Sequence, residues 1–495
     1  MQIPLIKGES VDSSSQWRDS LPQNMYAVDK PTLGAEGFMT SYPGLEFVAV
    51  GDLDTNGRDR GAIWVSTPSF IGQYRVIGGS LSKIEITDGF LNTLDSLGLV
   101  PGYDLVKMAY SFNNLAIVAD GRLFYYNPTD GLREIIDNEV GTPIDIVWGD
   151  NLFILTDGTN IYHSDPLDEE NYLPLDFGSA EFQPDPSLGL GFNEDSELIA
   201  FGTLSVEHFT NVGSENFVFR RIKQKAQKIG IVSTVSKGYY GNTYYMLGGR
   251  ENSQFGAYIT ESGASQKISS VAVDKILSGY LRSDMQESIV EVVEFDGTIL
   301  CLIHLPKDYV LCFNQSAAKK FGIESAWSVL TSRDAENPES ATQLAHRAYN
   351  YIHDKTYNRW FCGDKVNFRV GLVDPDRGDQ YHAPQELIMD SPLIKLETLS
   401  IDSLDIETVP GQKVKSFFYD PFGTPLEDES TVFVSLTYNG RTHGKEWTKL
   451  YGRNNDYSTR FYIRRLGYVR DIVGFRFRAY TRARMSFANF NVEAS

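Results

Sequence analysis

The stretch nearest to a recognisable chemical site is Asp52-Leu-Asp54-Thr-Asn56-Gly57-Arg-Asp59. Oxygen-bearing side chains fall on alternate positions and a glycine stands at the sharp turn, as in the first half of a calcium loop. The twelfth position is Ile63, where a bidentate glutamate belongs. The shell is then two oxygens short, and Asp, Asn and Gly also build ordinary hairpin turns, so this stretch assigns no cation site. The seven histidines are scattered, with no HExxH and no Cys/His cluster at zinc spacing. His304, inside an apolar run, reads as a hydrogen-bonded core histidine. There is no GxSxG turn, no Walker loop and no GxGxxG after a strand. Leu188-Gly-Leu-Gly-Phe192 reads as a compact turn. A glycosidase needs two carboxylates, and among 65 Asp and Glu no pair stands out. Asp165 to Asn171 reads as a solvated loop. No catalytic residue, cofactor or metal ligand is assigned.

The remaining candidate chemistry is ionic recognition. From Arg441 to Ser495 there are 12 basic and 4 acidic residues, a local charge of +8 in a chain of net charge -20, leaving -28 for the rest. In the closing stretch Arg476, Arg478, Arg482 and Arg484 alternate with Phe475, Phe477, Ala479 and Ala483; Arg464, Arg465 and Arg470 precede them. At strand period two the guanidinium groups share one face and the apolar groups the other. Like charges on one face repel unless something negative lies opposite. The face is either simply solvated, its repulsion screened by salt, or it meets a partner, phosphate or carboxylates of a neighbouring copy. The large negative remainder repels nucleic acid at long range and favours the carboxylates. These seven arginines are therefore the candidate interface, and their reversal at Arg476 and Arg478 is expected to weaken assembly while leaving the subunit folded.

Such a face needs strands to carry it. Short apolar runs recur, beginning near Ala62, Leu115, Leu152, Leu198, Thr243, Thr298 and Arg359, most followed by a second strand. A buried strand, a turn and an outer strand every 40 to 60 residues is the pattern of blades stacked around an axis. The repeat is irregular and lacks a WD or Asp-box signature. The fold class expected is all-β: an irregular β-propeller of six or seven blades, with an extended N-terminal segment (1–45), the propeller (46–374) and a C-terminal β domain with basic strands (375–495). Residues 270–293 interrupt the series as a helical insertion, with Val273, Ile276, Leu277 and Tyr280 on one stripe and a second helical pattern from Met285 to Val293.

Cys301, Cys312 and Cys362 show no CxxC spacing and form no disulfide framework, which suits a reducing cytoplasm. The N-terminus has no h-region of signal-peptide length, and no run reaches the roughly 18 apolar residues of a membrane span.

Several segments carry a resemblance in shared order. They are Leu21, Pro22, Asn24 and Met25, followed by Pro43 and Gly44; Ala180 to Phe209; Asp274 to Leu281; Leu302 to Pro306; Phe361 to Asp364; and Arg464 to Thr481. Across nearly the whole chain this resembles the packaged-DNA stabilisation, or tail hub (nozzle), family of short-tailed bacteriophages. The resemblance implies a structural virion protein of the tail, assembled in the host cytoplasm. It implies a homo-oligomer, commonly a hexameric ring, below the portal-adaptor ring protein. Such a ring closes the head after packaging and bears tail spike or fibre proteins and a tail needle or plug. It also passes double-stranded DNA without sequence-specific binding. The family supplies no active-site residues or cofactors. An acidic lumen would let DNA slide, and arginines at protein contacts would fix register. Two alternatives share the scaffold: a glycan-degrading tail enzyme, and a propeller binding module outside a virion. Fold alone does not separate them.

Overall fold

The computed structural model describes residues 2–6, 9–11, 17–32, 34–50, 57–85, 93–306, 309–333, 343–381, 383–396, 398–408, 430–451 and 461–494. Asp52, Asp54 and Asn56 lie outside the described residues.

Seven antiparallel sheets follow one another and close into a ring. The first blade is Asp59–Ser66, Ile71–Ile77, Ser80–Glu85 and Thr93–Leu99; the second Lys107–Tyr110, Leu115–Ala119, Arg122–Asn127 and Gly131–Ile135. The third is Asp145–Gly149, Leu152–Thr156, Ile161–His163 and Phe177–Gly178; the fourth Ser187–Phe192, Glu197–Gly202, Val206–Asn211 and Phe219–Arg221. The fifth spans Gly230 to Lys267 and the sixth Ile289 to Ala345, each with an additional strand. The seventh takes Ala348–Asp354, Arg359–Asp364 and Arg369–Asp374 from one end of the propeller and Gly44–Val50 from the other, paired from Arg369 opposite Val50 to Asp374 opposite Gly44. The chain fastens its own ring. Each of the seven apolar runs lies in a different blade, because a strand sandwiched between two neighbouring blades must be apolar on both faces: Leu115–Ala119 and Leu152–Thr156 are buried at every position.

The seam between the seventh and first blades joins an apolar cluster of Ile77, Ile84, Phe361, Val370 and Leu372 to a buried polar one. Arg75 donates to Asp59 at 2.7 Å, both fully buried, and Asn350 Nδ2 donates to Asp59 Oδ1 at 2.7 Å. Gly363 makes room: a Cβ there would lie 2.3 Å from the Asp59 carboxyl carbon. The helical insertion is shorter than its pattern. Val271–Leu277, capped by the Ser270 hydroxyl, and Arg282–Met285 are helical, but Ile289–Phe295 is the innermost strand of the sixth blade. Its β-branched run Ile289, Val290, Val292, Val293 favours a strand over the helix that the apolar spacing suggests.

Beyond the propeller two sheets pack face to face. One orders Met25–Val28, Phe38–Ser41, Ser486–Ala494, Leu399–Thr408 and Phe461–Val469, with Gln2–Pro4 added to Ser486–Ala494. The other holds Ala383–Asp390, Ile472–Thr481, Thr431–Thr437 and Trp447–Leu450. Phe475, Phe477, Leu404, Phe487 and Phe490 fill the interface, with the Phe477 and Phe490 rings stacked at 4.0 Å. The N-terminal segment joins the two domains: Gln23 N donates to Ile388 O and Asn24 N to Val329 O, each at 2.8 Å. At the junction the Arg377 guanidinium grips Asp379 through two 2.9 Å bonds. Gln380 pairs in parallel with Leu45, so the sheet of the seventh blade runs on into the sandwich.

Candidate assembly surface

The strand Ile472–Thr481 has the two faces its alternation requires: Phe475, Phe477 and Ala479 are buried, while Arg476 and Arg478 point outward. The carboxylates opposite them come from the same chain. Arg476 donates to Asp390 from Nε to Oδ1 at 2.7 Å and from Nη2 to Oδ2 at 2.9 Å, and the Ser20 hydroxyl adds a 2.6 Å bond. Arg478 holds Glu446 through bonds of 3.0 and 2.6 Å and lies over the Phe433 ring at 4.7 Å. The bond to Asp390 raises the pKa of Arg476, and the bond to Glu446 that of Arg478. Arg484 Nη1 reaches Asp296 of the sixth blade at 3.0 Å and its Nε donates to Thr40 Oγ1 at 3.1 Å, a link between domains. Arg482 is half-buried at the junction, where its carbonyl accepts from Gly378 N at 2.8 Å.

Arg464, Arg465 and Arg470 stand apart. All three are exposed, the first two on the edge strand Phe461–Val469. Arg464 rests on the ring of its own Tyr462 at 5.2 Å, and Arg465 adopts a φ of 60° at a bulge in the ladder. No carboxylate among the described residues pairs with any of the three. The expectation that reversing Arg476 and Arg478 spares the subunit is therefore corrected: those two side chains brace the sandwich, and a glutamate at either would face a carboxylate.

A second charged constellation, unseen in the sequence, lies along the propeller axis. Lys237 on the fifth blade's inner strand reaches Asp145 on the third blade's at 2.7 Å, passing over Gly189 of the fourth. A Cβ at Gly189 would lie 2.7 Å from Lys237 Cε. The stretch Leu188 to Phe192 is thus part of an inner strand, not a compact turn; its glycine clears a path for a crossing side chain. Beside it, Lys365 Nζ donates to His304 Nδ1 at 2.8 Å, so the imidazole carries its proton on Nε2 and donates it to Glu291 Oε2 at 3.0 Å. Burial pushes Glu291 up to about 7, against the pull of Lys365, and pushes Lys365 down to about 8. Burial also drives His304 well below the usual imidazole range, so it is a neutral core histidine. Such groups can share a proton or brace blades electrostatically. Among the described residues no three His, Cys, Asp or Glu side chains converge as a metal site.

A further basic run was also missed. Residues 219–228 hold Arg220, Arg221, Lys223, Lys225 and Lys228 without one acid, on the outer edge of the fourth blade. A charge count in a short window would have found it. The Asp165 to Asn171 loop is solvated at its tip, while Glu169 accepts from Ser111 and Asn114 of the second blade.

Fold and surface define a propeller fused to a β-sandwich, braced by ion pairs inside the chain and carrying unpaired cations on exposed edges. The chain belongs to the Bacteriophage P22 Gp10 family: the family's beta-propeller matches residues 1–378 and its beta-sandwich residues 386–495. It is 26% identical to the tail hub protein gp10 of Salmonella phage P22 over 99% of this chain and 98% of that one. Among solved structures it is similar to the Neurospora crassa Pan2 WD40 domain, with 7% identity over 64% of this chain and 89% of that one and a TM-score of 0.41. It is also similar to an extracellular domain of a putative one component system from B. thetaiotaomicron, with 9% identity over 83% and 48% of the two chains and a TM-score of 0.41.

Proposed function

We propose that this chain is the hub of a short phage tail, a non-enzymatic virion protein that assembles as a closed ring of copies below the portal-adaptor. In that place it closes the packaged head, carries spikes or fibres and a needle or plug, and lines the path by which DNA leaves. The observation that carries this reading is the end-to-end likeness to a tail hub protein, which covers the propeller and the sandwich together. Physical features support it. The sheet shared by the seventh blade and the sandwich, with the Arg377 and Asp379 clamp, makes the subunit stiff across its domain boundary. The exposed Arg464, Arg465 and Arg470 suit an acidic face on a neighbouring copy or on the adaptor, where complementary charge fixes register. The net charge of -20 disfavours retention of DNA in transit. Nothing in the relatives favours the glycan-degrading alternative.

Purified protein mixed with adaptor rings and viewed in negative stain tests the reading. Closed rings docked beneath the adaptor are expected, most simply with sixfold symmetry. Subunits that stay monomeric and ignore the adaptor would overturn it.

A further inference from the structure

The basic run on the fourth blade borders a groove. Arg221 Nη1 lies 3.1 Å from Glu207 and Lys225 pairs with Glu197, but Arg220, Lys223 and Lys228 are exposed without an ion-pair partner among the described residues. Arg220 and Lys223 border a cavity of about 490 Å³ walled by Phe209, Phe217 and Phe219, with Glu181 the one acid in its lining. Cations that merely solubilise a rim need no aromatic wall. An apolar slot edged by positive charge fits an apolar side chain standing among acids.

That complementary shape occurs elsewhere on the same rim. At the outer edge of the second blade and the 165–176 loop of the third, Ile136 is 84% exposed, Leu167 97% and Leu175 64%. Near them in the sequence stand Glu134, Asp137, Glu139, Asp168 and Glu170, of which Glu134 pairs with Arg122 and Glu170 with Arg133. The loop is built to hold its leucine outward: Leu167 N donates to Asp165 Oδ1 at 2.8 Å, and Tyr172 N ties the loop to Asp137 Oδ2 at 3.1 Å. Large apolar side chains held in water by an ordered loop mark a surface that is covered in use.

We infer that the two faces are the halves of one contact between copies: Leu167 of one subunit seats on Phe217 and Phe219 of the next, with Arg220, Lys223 and Lys228 facing Glu139 and Asp168. The inference rests on the ring reading above and names its faces. A closed ring of identical copies needs two unlike surfaces on each copy, and these two differ in charge and in relief. The groove lies where the fourth blade meets the third, Phe217 packing against Gly178, yet Leu167 stands 97% exposed and so does not fill it from its own subunit.

The test uses full-length protein with adaptor rings. Leu167→Asp, and separately the triple reversal Arg220→Glu, Lys223→Glu and Lys228→Glu, should each raise the concentration for half-assembly about tenfold or more, with thermal unfolding unchanged. Adding Glu139→Lys and Asp168→Lys to the triple reversal should restore rings. A carbodiimide, which joins amines only to carboxylates they touch, should link Lys223 or Lys228 of an unlabelled copy to Glu139 or Asp168 of a nitrogen-15 copy in mixed wild-type rings. That readout decides even if a variant fails to fold. Intact rings lacking those links, or links from these lysines to a different tail protein, would sink the inference. Wild-type protein that never forms rings would sink the hub reading instead, a separate result.

Discussion

Replacing Arg476 by alanine removes both guanidinium bonds from Asp390, a carboxylate only 7% exposed, and leaves it the Ser20 hydroxyl as its close donor. Breaking a fully buried pair costs about 3–5 kcal/mol. Arg476 is itself 35% exposed, so water can enter the vacated side, and the expected loss falls to about 2–3 kcal/mol. The cost belongs to the sandwich, because Asp390 and Arg476 are directly paired on neighbouring strands. Amide hydrogen exchange of Ala383–Asp390 should therefore accelerate about 30- to 150-fold where opening of the sandwich governs exchange. Asp390→Asn alone should cost less, since the freed arginine can turn to solvent. The double variant should recover about 1 kcal/mol or more relative to the sum of the two. Exchange that changes by less than about threefold in Arg476→Ala, or a cycle with no coupling, would refute the reasoning and return Arg476 to the list of side chains free to meet another molecule.

Reversal of Arg464, Arg465 and Arg470 to glutamate should leave that exchange unchanged and weaken docking to the adaptor or to a neighbouring copy, read as ring yield against concentration. Gly363→Ala forces a methyl against Asp59 at the closing seam and should lower stability by about 1–3 kcal/mol, measured by urea denaturation, with the propeller opening first. The pH dependence has a definite sign. The folded pKa of Glu291, about 7, is above its ordinary value, so its stabilising contribution is complete at low pH and is lost as pH rises through 7. The pull of Lys365 is already contained in that value, and a glutamine does not titrate, so Glu291→Gln should be more stable relative to wild type at pH 8 than at pH 5, by about 2–3 kcal/mol from urea denaturation; a constant difference would refute the assignment.

The blades were legible because burial on both faces writes itself into sequence as short apolar runs. Gly44–Val50 was not: nothing local distinguishes a closing strand from the entry segment, because its partner Arg369–Asp374 lies more than 300 residues away. Leu188 to Phe192 misled because glycine signals turns, whereas Gly189 exists for the passage of Lys237 between blades. The alternation of Phe475 to Ala479 correctly implied a two-faced strand and an acidic counterpart. It did not reveal that Asp390 and Glu446 of the same chain would supply it, since any of 65 acids was eligible until the strands were aligned. The ridge at Ile136 and Leu167 gives no periodic signal, because each is one apolar residue in a polar turn.

The strand Ser486–Ala494 lies between Leu399–Thr408 and the hairpin strand Phe38–Ser41, and also receives Gln2–Pro4. A polypeptide lacking Ser486–Ala494 would lose the strand on which Phe38–Ser41, Gln2–Pro4 and Leu399–Thr408 all pair, and with it the sandwich, while the propeller strands would keep their own partners.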